Sequence, residues 1–273
     1  MSSSFFFPKI NWLFPPTLSN KREEAGTMKS SIFKVQFDDS VKEYNKVDGI
    51  LAIAYFFYEI AFAMVAGFFI FHTNLVEQLF SWSKIPTKAI FTIVLYIPIA
   101  LIEAGPVFII LKCRKQSLKS IGLKKEKILK CILLGILFSI PPTLCNAFSM
   151  KFGNMLSLLD SFWMFVYDLF EIAFVEEIIF RGFIQTRIQG LIRSKWTSII
   201  LVGIMFSLSH IPFNLFKYNV SLVGFVTMNF RGLITTCLIH IYFVYLYTRD
   251  NNIFAPVVAH AIMDFIPVLF SAM

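Results

Sequence analysis

The segment Phe162–Ile184 reads Phe-Trp-Met-Phe-Val-Tyr-Asp-Leu-Phe-Glu-Ile-Ala-Phe-Val-Glu-Glu-Ile-Ile-Phe-Arg-Gly-Phe-Ile. It is long and apolar enough to cross a bilayer, which takes about 20 residues in a helix. Its C-terminal half nevertheless carries Glu176, Glu177 and Arg181. Charged side chains inside a membrane span are costly and normally face a protein interior or a water-filled cavity. The segment therefore predicts a membrane helix that carries a functional site.

The composition of the whole chain agrees with a membrane protein. Of its 273 residues 57% are hydrophobic and 15% charged, and the mean hydropathy is +0.70. A soluble domain of this composition would expose too much apolar surface, so we expect an all-α, polytopic integral-membrane bundle. The net charge of +8 does not indicate a nucleic-acid partner, because the basic residues lie in short loops between apolar runs. The expected partner is the lipid bilayer, and the oligomeric state is left open.

Apolar segments of spanning length recur along the chain and predict about seven transmembrane helices. The predicted spans are Gly49–Phe71, Ala89–Leu111, Ile128–Met150, Phe162–Ile184, Trp196–Phe213, Leu222–Tyr247 and Ile253–Phe270.

The basic residues predict the orientation. With the loop 112–130 in the cytosol, twenty of the 25 Lys and Arg residues fall on the cytosolic side, Arg181 and Arg187 among them. Four fall on the opposite side, and Arg231 lies within a span. Positive charge is enriched on the cytosolic side of membrane proteins. We therefore expect a cytosolic N-terminus and a C-terminus on the other side of the cell membrane.

The chain is expected to comprise a polar tail, residues 1–46, and a membrane domain, residues 47–273, with its motifs in 162–264. Within the tail, Lys21–Met28 can be encoded with AGG-GAG-GAA shortly upstream of an ATG, which has the form of a bacterial ribosome-binding site. This pattern favours a bacterial protein whose translation starts at Met28, so that residues 1–27 are not translated.

Two further polar groups interrupt apolar surroundings, the stretches Phe206–His210 and His260–Asp264. At a rise of 1.5 Å per residue from the predicted cytosolic boundary, Glu177, His210 and His260 lie at depths of about 15–22 Å. Three separate helices thus bring polar side chains to a similar level, and we expect them to form one site.

Helical spacing suggests how these groups pair. Glu177 and Arg181 are four residues apart, in the order that favours an ion pair. Burial makes that pairing close to obligatory, because arginine does not lose its proton. Glu176, about 100° around the helix, is then the carboxylate left for chemistry. His260 and Asp264 are also four apart and are expected to act as a unit.

Three motifs follow one another on hydrophobic helices: Glu-Glu-x-x-x-Arg from Glu176, Phe-x-x-x-His from Phe206, and His-x-x-x-Asp from His260. Together they resemble the CPBP (Abi) family of intramembrane endopeptidases. That family includes CAAX prenyl endopeptidases and bacterial proteins of bacteriocin processing or self-immunity. The resemblance covers about Phe162 to Asp264 and implies peptide-bond hydrolysis within the membrane.

The resemblance also implies roles for the residues. Glu176 would be the general base that activates water together with His210, while His260 and Asp264 would stabilise the tetrahedral oxyanion and hold the site together. Asp264 stands where the prenyl endopeptidases usually carry Asn. Because an ionised Asp cannot donate to an oxyanion, Asp264 either orients His260 or is protonated by burial. The supporting residues would be Glu177, Arg181 and Phe206.

Zinc is an open alternative, since Glu176, His210 and His260 are suitable ligands and three protein ligands plus water form the usual catalytic set. The sequence has no His-Glu-x-x-His helix, and we expect water activation that requires no cofactor.

The expected substrate is a membrane-associated peptide or protein, either prenylated or bacteriocin-like. The alternative function is a non-enzymatic self-immunity or peptide-binding protein on the same scaffold. A transporter is disfavoured, because no repeated pair of Gly- or Pro-broken helices is present.

Overall fold

A computed structural model describes residues 34–147 and 155–270 of the chain. The chain divides into two units after Gln36, and the second, Phe37–Met273, is compact. The second unit is a bundle of helices, with no strand in the part of the chain that the structure describes. This confirms the all-α prediction. Residues 1–27, on which the predicted start at Met28 depends, lie outside the described residues.

Eight helices and two short 3₁₀ turns, Asp39–Glu43 and Leu118–Ile121, are seen in the described ranges. The helices are α1 (Lys46–His72), α2 (Leu75–Ser83), α3 (Lys88–Cys113), α4 (Ile128–Ala147), α5 (Leu158 to Ile192), α6 (Lys195–Tyr218), α7 (Leu222–Asp250) and α8 (Phe254–Leu269).

The seven predicted spans correspond to every helix except α2, which has nine residues and was not predicted. Five helices, α1, α3, α4, α6 and α7, are long and apolar enough to cross a membrane. By contrast, α8 has 16 residues, or about 24 Å, which is shorter than a hydrocarbon core of about 30 Å. The helix α5 contains two segments that are not regular α-helix.

The first span begins at a capping box. The side chain of Asn45 accepts hydrogen bonds from the backbone N–H groups of Val47 and Asp48, and the Asp48 carboxylate accepts from the Asn45 N–H at 2.9 Å. Such reciprocal capping satisfies backbone donors that the first helical turn leaves free. Asp48 also forms an ion pair with Arg114 at 2.9 Å, and this ties the start of α1 to the end of α3.

The helix α5 is the core of the bundle. Its residues Ile179 and Ile184 are fully buried, and Val107 of α3, Val202 of α6 and Val257 of α8 pack in the same hydrophobic cluster. Many apolar side chains on the outer helices are exposed, as expected for surfaces that face lipid. The charged motif of α5 is therefore enclosed by protein.

The turn Leu118–Ile121 packs closely against α5. A Cβ atom on Gly182 would lie 2.6 Å from the carbonyl oxygen of Ile121, so only glycine fits at this crossing. Five residues on, Arg187 is fully buried, and its guanidinium donates to the side chains of Gln116 and Ser120 at 2.7 and 2.9 Å. The turn and α5 are thus held together by direct hydrogen bonds.

This burial corrects one step of the topology argument. Arg181 and Arg187 were counted with the cytosolic loop cations, whereas both are fully enclosed within α5. Without these two, the remaining basic residues still favour a cytosolic N-terminus by a wide margin.

Candidate active site

Two π-helical segments bracket the adjacent glutamates. The helix α5 consists of five successive segments: Leu158–Tyr167, the π segment Asp168–Ala173, the α-helical turn Phe174–Glu177, the π segment Ile178–Ile184, and Gln185–Ile192. π turns are rare and are frequent at functional sites. The sequence analysis predicted neither segment. For the first, no Gly or Pro between Asp168 and Glu177 indicates an irregular helix.

Glu177 is fully buried and contacts the side chains of Arg181 and His260. Its Oε1 atom lies 3.0 Å from Nη1 of Arg181 and 2.8 Å from Nδ1 of His260. The predicted Glu177–Arg181 ion pair is therefore present. The contact with His260 was not predicted, because the two residues are 83 positions apart and no helical spacing rule reaches that far.

The guanidinium of Arg181 is stabilised by charge and by aromatic faces. Arg181 forms an ion pair with Glu177 at 3.0 Å. The angles at this contact are not those of a hydrogen bond, and none of the three guanidinium nitrogens has a hydrogen-bond partner among the described residues. Its central carbon lies 4.2 Å from the ring centre of Phe206 and 5.0 Å from that of Phe243. Such cation–π contacts partly replace lost hydration. Phe243 is a supporting residue that the sequence motifs did not indicate.

His260 joins the buried pair to the rest of the site. Its Nε2 atom lies 3.2 Å from Oδ2 of Asp264 and 3.9 Å from Oε2 of Glu176. If both Glu177 and Asp264 are ionised, the ring donates from both nitrogens and is an imidazolium. Arg181, Glu177, His260 and Asp264 then form a chain of alternating charges.

His210 lies on α6 and is oriented by its own helix. Its Nδ1 atom is 2.7 Å from the carbonyl oxygen of Phe206, and the two rings meet edge to face with centres 4.7 Å apart. A carbonyl only accepts, so Nδ1 carries the proton and Nε2 of the neutral ring keeps its lone pair. Phe206 thus positions two site residues, His210 through its carbonyl group and Arg181 through its ring.

Glu176 and His210 line one cavity of about 460 Å³ between α1, α3, α5 and α6. The Glu176 side chain is 24% exposed, and its Oε2 atom has no hydrogen-bond partner in the described part of the chain. His260 and Asp264 are not among the residues that line this cavity. Glu176 therefore lies at the junction between the cavity and the buried chain of charges.

A zinc site built on Glu176, His210 and His260 does not fit this arrangement. Both ring nitrogens of His260 already face carboxylate oxygens, at 2.8 and 3.2 Å, so neither presents a free lone pair to a metal. Within residues 34–147 and 155–270, no three His, Cys, Asp or Glu side chains are grouped as metal ligands.

Comparison with known proteins identifies one related family. Residues 158–266 match the family model described as "Type II CAAX prenyl endopeptidase Rce1-like". Over this region the chain is similar to the CPBP/CAAX protease family. The match includes all three motifs, and it confirms the resemblance found in the sequence. No curated protein and no solved structure matches the chain.

The family supports endopeptidase activity of the CAAX type in general. Together with the five spanning helices, it indicates a multi-pass membrane protein.

Proposed function

We propose that this protein is an intramembrane endopeptidase in which Glu176 and His210 activate a water molecule to hydrolyse a peptide bond. One observation carries the proposal: Glu176, whose Oε2 atom has no hydrogen-bond partner among the described residues, and His210, whose Nδ1 atom is bound to a carbonyl oxygen, line the same cavity inside an apolar bundle. Such a pair has the groups needed for general acid–base catalysis. No cofactor is required by this scheme.

In the proposed reaction, water binds between Glu176 and His210. Glu176 takes a proton from the water as the water oxygen attacks the carbonyl carbon of the substrate. Nε2 of His210 accepts a hydrogen bond from the same water and orients its oxygen. The protonated Glu176 then passes its proton to the departing nitrogen as the C–N bond breaks. The products are a carboxyl group and an amine, and Glu176 returns to its ionised form.

The buried chain of charges supports this base. Nε2 of His260 lies 3.9 Å from Glu176, so an imidazolium there would place positive charge beside the developing oxyanion. Glu177 fixes the ring through Nδ1, and Asp264 fixes it through Nε2. These residues act on the reaction through His260, and Arg181 acts through Glu177.

The substrate is proposed to be a membrane-associated peptide or protein segment, bacteriocin-like or prenylated. The cavity supports an extended apolar substrate, because residues such as Phe62, Ile99 and Phe213 line much of it. Its volume lies in the range of about 300–1,000 Å³ that is typical of ligand pockets.

The test compares membranes of cells that express the wild type, Glu176→Gln or His210→Ala. New peptide termini, identified by mass spectrometry, should appear with the wild type and not with either variant. The matched control is Glu77→Gln on α2, an exposed carboxylate outside the cavity. Products that persist in Glu176→Gln would overturn the mechanism. Protection of cells against a peptide toxin that persists in Glu176→Gln would instead identify a binding or immunity protein.

The orientation is proposed from the basic residues, with the loop that contains Lys119 in the cytosol of a bacterial cell. Lys119 is exposed, so a cysteine there is accessible to a reagent. In a variant that lacks the native cysteines, Lys119→Cys should be protected from a membrane-impermeant maleimide in intact cells and labelled after lysis. Labelling in intact cells would reverse the orientation.

A further inference from the structure

A second pair of carboxylic acids lies in the wall of the same cavity, outside the three motifs. Glu59 comes from α1 and Glu103 from α3. Two tyrosines of α1 hold these helices together at this level: the Tyr58 hydroxyl donates to the carbonyl oxygen of Ile102 at 2.6 Å, and the Tyr55 hydroxyl donates to that of Glu103. The pair is therefore positioned by direct contacts between the two helices.

Glu59 is the better enclosed of the two. The residue is 4% exposed, and its Oε1 atom has no hydrogen-bond partner among the described residues although the side chain lines the cavity. A buried polar atom without a partner costs free energy. The wall of the cavity thus contains a buried acceptor for which the described residues supply no donor.

The charges of the cavity are unbalanced. Four carboxyl groups line it, and among the described lining residues the only lysine or arginine is the exposed Lys217; Arg181 is paired with Glu177. The lining carboxyl groups are those of Glu59, Glu103, Glu171 and Glu176. Carboxylates in such surroundings need a partner cation or a proton.

We infer that Glu59 and Glu103 form a subsite for the positively charged side chain of a lysine or arginine in the substrate. The apolar lining receives the aliphatic stem of such a side chain, and the two carboxyl groups receive its charged end. Glu176 lines the same cavity, so the bound basic residue and the cleaved bond belong to one segment of the substrate. This inference rests on the proposed endopeptidase function and adds a specificity for cationic residues to it.

The test measures binding without turnover. Full-length protein carrying His210→Ala is immobilised in detergent and exposed to a library of apolar decapeptides. The library is degenerate at every position but one, which is either lysine or its uncharged isostere norleucine. Mass spectrometry gives the ratio of retained lysine to norleucine members. Because hydrogen bonds to charged groups contribute about 1.5–3 kcal/mol, the lysine members should be enriched about tenfold or more.

Glu59→Gln with Glu103→Gln should bring this ratio close to one, whereas Glu77→Gln should leave it unchanged. If the double variant unfolds, Glu103→Gln alone, at a half-buried position, should still lower the lysine-to-norleucine ratio. A ratio near one in the parent protein, or a ratio that the Gln variants do not lower, overturns the inference. Lysine enrichment without peptide cleavage by the wild type would support the subsite and contradict the endopeptidase function. Peptide cleavage without lysine enrichment would support the endopeptidase function and contradict the subsite.

Discussion

Glu176 and Glu177 are neighbours in the chain but occupy different surroundings. Glu177 is fully buried, and its Oε1 atom contacts both Arg181 and His260. Glu176 is partly exposed in the cavity, and its Oε2 atom lies 3.9 Å from Nε2 of His260. Successive residues on a helix point about 100° apart, so a single turn directs one carboxylate into protein and the other to the cavity.

The difference separates two tasks within one turn of helix. The interior carboxylate holds an arginine and a histidine in place, and a change there is expected to alter stability first. The carboxylate in the cavity has an oxygen atom that no described residue hydrogen-bonds, and a change there is expected to alter chemistry while the fold remains. Variants of the two residues therefore test whether this division is real.

The largest effect is expected from the cavity side. Glu176→Gln and His210→Ala should each lower cleavage by about 10²–10⁴-fold, because proton transfer by a positioned base contributes that much. The thermal midpoint in detergent should stay close to that of the wild type. The measurement is the initial rate of cleavage of a peptide found in the membrane comparison above. A large loss of stability in Glu176→Gln would contradict the division between the two glutamates.

The buried side should show the opposite pattern. Removing one partner of a buried ion pair typically costs about 3–5 kcal/mol, so Arg181→Leu and Glu177→Gln should each lower the free energy of unfolding substantially. The double variant should be more stable than the sum of the single effects predicts, since it leaves no unpaired charge. Unfolding in sodium dodecyl sulfate, followed by circular dichroism, gives the three values. Strict additivity would show that the pair contributes little.

The same contrast explains how far the sequence alone could predict the site. The spans followed from runs of about 20 apolar residues, and the Glu177–Arg181 pair followed from a spacing of four. Both are local properties of one helix. The short helix α2 was missed because nine residues are too few to give the signal of a span.

Contacts between helices were not predictable in this way. The Glu177–His260 hydrogen bond and the position of Phe243 beside Arg181 depend on how α5, α7 and α8 pack, which no local spacing encodes. Glu59 and Glu103 gave one usable signal, since each is a carboxylate in an apolar span without a basic residue four positions later. Their meeting in one cavity required the arrangement of α1 and α3.

A smaller effect is expected from the aromatic support of Arg181. Phe243→Leu keeps an apolar side chain but removes a ring whose centre lies 5.0 Å from the guanidinium and 5.1 Å from the ring centre of His260. A cation–π contact of this kind is worth about 0.5–2 kcal/mol, so the unfolding free energy should fall by that order. The control is Phe57→Leu, an exposed phenylalanine on α1, which should have no measurable effect. Equal losses in both variants would argue against a specific contact.

The smallest effect is expected at the outer end of the buried chain. Asp264 contacts Nε2 of His260 at 3.2 Å, and its side chain is 36% exposed. In Asp264→Asn, the amide oxygen can still accept from Nε2, so the ring keeps its orientation and loses one nearby negative charge. Because Glu177 still holds Nδ1, cleavage should remain within about tenfold of the wild type, less than the loss expected for a catalytic base. Asp264→Ala leaves Nε2 without this acceptor and should therefore lower cleavage further than Asp264→Asn at equal thermal stability. If Asp264→Asn abolished cleavage as completely as Glu176→Gln, Asp264 would itself transfer protons, and the division between a reacting carboxylate and its supports would have to be redrawn.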